Sequence, residues 1–153
     1  MDETPVNPQV ERLAPLVGKW SLEVAFRGAP AGDSGARTSF EWMSGERFLI
    51  QHWEVPHPGA PDGLAVIGWD ERRATLLQHY FDSRGVARVY EMSFEGGVWK
   101  LSRTAPDFSE LNFSQRFEGA LSDDGRTIEG RWEIARDGSS WEHDFDLTYR
   151  KVA

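Results

Sequence analysis

Residues 127–150 read TIEGRWEIARDGSSWEHDFDLTYR, and this stretch decides the fold class. From Thr127 to Ala135 the residues alternate: Ile128, Gly130, Trp132 and Ile134 fall on one face, and Thr127, Glu129, Arg131 and Glu133 on the other. A period of two is that of a strand with one buried face. Arg136-Asp137-Gly138 then supplies a turn. Beyond it Trp141, His143, Phe145, Leu147 and Tyr149 alternate with Glu142, Asp144, Asp146, Thr148 and Arg150. Two such strands joined by a short turn pair antiparallel, and unbroken alternation predicts that His143 points inward.

The same pattern extends towards the N-terminus. Strands are expected over 20–27, 37–43, 47–55, 64–70, 75–82, 86–94, 98–103 and 111–119, which with 127–135 and 140–150 makes ten. Most connections are hairpin-sized, among them Ser44-Gly45-Glu46, Glu95-Gly96-Gly97 and Asp123-Asp124-Gly125. A meander of this kind hides its apolar face by closing into an up-and-down antiparallel β-barrel, which also removes both sheet edges. Longer loops, over 28–36, 56–63 and 104–110, are placed around a mouth.

Alternation puts Trp20, Leu22, Val24 and Phe26 inside on the first strand, and Phe40 and Trp42 on the second. Leu111, Phe113, Gln115 and Phe117 share an inner face on the eighth strand, and Arg88 follows Tyr90, Met92 and Phe94 inward on the sixth. The third to fifth strands are apolar on both faces, so the direction of His52 and His79 is not decided. One short helix is expected over 8–17, with Asn7 as N-cap, Pro8 at the first helical position and Pro15 limiting its length. It is expected to plug one end of a single barrel domain over 8–153, behind a flexible segment over 1–7.

Composition excludes several classes of function. The chain has 153 residues and a net charge of −8, with its arginines scattered among acids, which disfavours a nucleic-acid partner. It has no cysteine, so disulfides, thiolate metal sites and cysteine nucleophiles are excluded. The absence suits a cytoplasmic protein. No apolar run is long enough to insert in a membrane or act as a leader. His52 and His57 flank a proline-interrupted segment with no third ligand at fixed spacing, so no metal site is expected. No nucleophile elbow, phosphate loop or dinucleotide fingerprint occurs, and no cofactor is expected from the motifs.

Leu16-Val17-Gly18-Lys19-Trp20 is a Gly-x-Trp opening the first strand after a short helix. It resembles the opening of lipocalins, fatty-acid-binding proteins and other calycins, a likeness that implies a barrel whose end is closed by the Trp. With Gly68-Trp69-Asp70, with the run from Tyr80 to Gly85 and with the last strand, the chain looks like an uncharacterised bacterial family of calycin-like domains. The last strand is also similar to that of nitrobindin, whose ten-stranded barrel holds haem through a His there. In this chain the opening departs from nitrobindin at Ser21-Leu22-Glu23-Val24, and the His falls about one residue out of register.

These readings predict a small hydrophobic or aromatic ligand inside the barrel, lined by Trp20, Trp42, Arg88, Phe113, Gln115, Trp132, Trp141, His143 and Tyr149. The alternatives are an enzyme using an inward His143 for acid–base chemistry and a nitrobindin-like haem protein, with no specific haem binding expected. The two-sided apolar strands leave room for a homodimer.

Overall fold

The computed structural model describes residues 7–26, 32–56 and 60–153. The segment over 1–6, His57 and the side chain of Phe26 lie outside the described residues. The chain opens with α1, Pro8–Glu11. The Asn7 side chain accepts a hydrogen bond from Gln9 N at 2.8 Å, as an N-cap should. The helix is shorter than 8–17: α1 stops before Pro15, whose ring cannot sit behind a helical turn, and the path continues as a 3-10 turn, Ala14–Leu16.

Ten strands follow: β1 Gly18–Phe26, β2 Gly32–Trp42, β3 Leu49–Glu54, β4 Gly63–Asp70, β5 Thr75–Asp82, β6 Ala87–Glu95, β7 Val98–Arg103, β8 Ser114–Leu121, β9 Thr127–Ala135 and β10 Glu142–Lys151. Each pairs antiparallel with its sequence neighbour, and β1 pairs with β10 to close the barrel. β5, β7 and β9 have the boundaries expected from sequence. β8 begins later than expected, so Leu111 and Phe113 lie in the connection before it.

One end of the barrel is shut. Leu13, Leu16 and Trp20 are fully buried there with Phe40, Trp99 and Ile128. The Trp20 indole donates to Leu16 O at 2.9 Å, tying the helical segment to the floor. Phe117 meets Trp99 edge-on at 5.0 Å, and its ring fits because Gly119 and Gly130 stand opposite each other in the β8–β9 ladder. A Cβ on Gly119 would come within 2.9 Å of that ring, and one on Gly130 would run into it. The inward glycine of residues 127–135 is therefore a packing requirement. The connections over 104–113 and 136–141 gather at the opposite end.

Two-sided apolarity in β4 and β5 has a local cause. Phe48 lies over Gly68 on the outer wall, and Phe81 packs against Phe108 at 6.2 Å. The outer residues there are partly covered, so both faces are apolar. Gln51 and Gln78 take the inward positions and are buried, which turns His52 and His79 outward.

The β9–β10 ladder corrects the expectation for His143. His143 stands opposite Glu133 and Phe145 opposite Trp132, with a register shift between them. Asp144 is the extra residue of a β-bulge, which reverses the alternation at the start of β10. His143 therefore sits on the outer wall, its Nε2 2.8 Å from Asp146 Oδ1. Trp141 is also outside, with the outward Arg116 guanidinium 4.1 Å from its ring centre.

Candidate functional site

The unplugged half of the barrel presents an inner wall that packing leaves incomplete. Val24, Trp53, Tyr80, Trp132, Phe145 and Leu147 all belong to the inward alternation, yet each is only half-buried. At the floor, the same alternation buries Trp20, Phe40, Trp99 and Phe117 almost completely. Their remaining accessible surface sets this end of the inner wall apart from the sealed floor.

Rings form a continuous chain of contacts through that half. Trp53 stacks on Tyr80 at 5.2 Å, and Tyr80 meets Tyr90 edge-on at 6.2 Å. Tyr90 meets Trp132 at 5.8 Å, and Trp132 lies against Phe117 at 5.2 Å and Phe145 at 6.3 Å. Adjacent edge-to-face and offset contacts hold each ring in one orientation and present an apolar wall.

A polar group interrupts this wall. Gln115 Oε1 accepts from Tyr90 Oη at 2.9 Å and from Arg88 Nη1 at 3.3 Å. The Arg88 guanidinium also lies 5.4 Å from the centre of the Phe113 ring. Burial pushes the Tyr90 phenol up, so it donates as a neutral hydroxyl. Gln78 stands opposite Tyr90 in the β5–β6 ladder, and its Oε1 is buried without a hydrogen-bond partner among the described residues.

Two carboxylates brace the rim. Asp107 takes both ends of the buried Arg103 guanidinium, at 2.8 and 2.9 Å, and the backbone N–H of Val89 at 2.8 Å. The Arg103 hydrogen bonds hold its carboxyl well below the usual range, against the opposing effect of burial. For Asp82 burial alone would raise the carboxyl. Hydrogen bonds from Arg84 at 2.7 Å and Tyr80 Oη at 2.6 Å prevail, and it is held at about 2. Both are charged at neutral pH and fully engaged, which suits bracing rather than proton transfer.

The expected site residues separate into three groups. Arg88, Gln115, Phe113 and Trp132 come together at the open half. Trp20 and Tyr149 form the floor, 6.5 Å apart and edge-on, and Trp42 packs against the core at the same end. His143 and Trp141 lie outside the wall. Trp53, Gln78 and Tyr80 were missed because β3 to β5 lack a polar face, leaving their parity unreadable.

The haem implied by the nitrobindin likeness does not fit this arrangement. Its ligand would be the last-strand His, and here the bulge turns His143 away from the interior towards Asp146. Among the described residues no three His, Asp or Glu side chains converge as metal ligands, and no helix is long and apolar enough to cross a membrane.

No family model matches the chain, and no curated protein does. Among solved structures, the crystal structure of Rv2717c from M. tuberculosis is similar over 97% of this chain and 100% of its own. The TM-score is 0.64 and the sequence identity 13%. The likeness is one of fold.

Proposed function

We propose that this calycin-like barrel binds a small, largely apolar or aromatic molecule in its open half and does not transform it. One observation carries the reading: Trp132, Phe145 and Leu147 face inward yet keep accessible surface, as the walls of a ligand site do. The polar groups that converge there are either engaged carboxylates or hydrogen-bonding side chains, which orient a ligand better than they move protons. The domain over 8–153 is the binding unit. Its acidic charge and lack of cysteine support a cytoplasmic role with a small molecule as partner. The exposed Leu64, Phe81 and Phe108 are the outer surface a second copy would cover if the protein pairs.

The test is a titration with the neutral dye N-phenyl-1-naphthylamine, whose fluorescence rises in apolar surroundings. Saturable binding of one dye per chain is expected, and Leu147→Trp, which fills the space from within, should abolish it while the barrel still unfolds cooperatively. Absence of saturable uptake by the unaltered protein would overturn the proposal.

A further inference from the structure

Among the described residues Arg84, Arg88 and Arg103 serve the open half of the barrel, and they differ in what balances them. Arg103 is paired with Asp107 and Arg84 with Asp82. Arg88 makes no ion pair among the described residues: its contacts are the neutral Gln115 Oε1, the Tyr90 hydroxyl and the face of Phe113. A half-buried guanidinium without a carboxylate is costly, because its charge has lost part of its hydration and gained no counter-charge. It has five donors in a planar fork, and the bonds to Gln115 and Tyr90 use only part of them.

Beside it on the same inner wall is a second unmet demand. Gln78 is 5% exposed and its Oε1 has no hydrogen-bond partner among the described residues. Gln78 stands opposite Tyr90, and the Tyr90 hydroxyl shares Gln115 Oε1 with Arg88. A buried acceptor left without a donor is rare and costs free energy unless a ligand or water meets it. Among the described residues the wall therefore offers a cation without a carboxylate near the mouth and an acceptor without a donor deeper in, separated by aromatic surface.

We infer that the barrel's ligand is an acidic ring compound, its anionic oxygens held by Arg88, with its body against Tyr80 and Trp132. This rests on the reading of the barrel as a small-molecule binder and names the class of molecule. The overall field works against it, since a net charge of −8 repels anions. A preference for an anionic ligand would therefore report the local guanidinium and not the surface.

Two dyes with one aromatic body test this. N-phenyl-1-naphthylamine is neutral, and 8-anilinonaphthalene-1-sulfonate is the same body carrying a sulfonate. A charge-assisted contact predicts that the sulfonate dye binds roughly tenfold or more tightly than the neutral one. Arg88→Met should narrow the gap to under about threefold, and Arg88→Lys should keep part of it. Arg88→Gln, uncharged but still hydrogen-bonding, is read beside Arg88→Met so that a packing defect in one variant does not decide the result. Equal or tighter binding of the neutral dye by the unaltered protein overturns the inference while leaving the binding function standing. So does a sulfonate preference that survives both uncharged variants. Failure of both dyes to bind overturns the inference and the proposed function together.

Discussion

His143 and Glu133 stand opposite each other across the β9–β10 ladder, on the outer wall of a barrel whose inner wall begins at the next pair, Phe145 and Trp132. A single extra residue, Asp144, separates the two situations. His143→Ala should therefore leave dye affinity within twofold of the unaltered protein. Its exposed contact with Asp146 is worth about 1 kcal/mol or less. Fluorescence titration with a parallel urea denaturation checks both; a tenfold loss of affinity would place His143 in the site.

Stability should fall as acid reaches the rim carboxylates. Asp82 is held at about 2 against an ordinary value of 3.8, so its contribution is complete above about pH 4 and lost as pH falls towards 2. The difference is worth about 2 kcal/mol. Asp107, also lowered, acts in the same direction. Urea denaturation at pH 5 and pH 3 should show the loss, and Asp82→Asn should show less of it. An equal loss in the variant would refute the assignment.

Gln78→Met should stabilise the unliganded protein by about 1 kcal/mol, because it removes a buried acceptor with no partner among the described residues and keeps the volume. Thermal unfolding of both proteins without ligand reads this directly. A lower midpoint in the variant would mean that the amide is already satisfied.

Gly130→Ala should destabilise the barrel by about 1–3 kcal/mol, the usual cost of forcing an atom into a filled core. The new methyl would meet the Phe117 ring and lie 3.0 Å from Leu147 O. Phe117→Leu in the same chain should recover part of the loss. Denaturation midpoints of the single and double variants settle the point, and independent, additive losses would count against a steric cause.

Much of the fold was legible because its signals are local. Period-two alternation over 127–135, Gly turns between short runs and Asn7-Pro8 before the helical segment each depend on neighbours a few residues apart. The candidate site was legible where one face of a strand is polar, as for Arg88, Gln115 and Trp132. It was illegible on β3 to β5, where Phe48 and Phe108 cover the outside and erase the contrast between faces.

The sequence by itself determined ten antiparallel strands, their order and the end that the helix closes, since alternation, turn chemistry and Gly18-x-Trp20 are carried by consecutive residues. Only the tertiary structure decided which way His143 faces, because a bulge belongs to a pair of strands: Asp144 is supernumerary only relative to β9. Only it brought Gln78, Tyr90, Arg88 and Gln115 together, since barrel closure curves β5, β6 and β8 until side chains distant in sequence share one wall. And only it left Arg88 without an ion pair among the described residues, because whether a charge finds a partner depends on every strand that faces it.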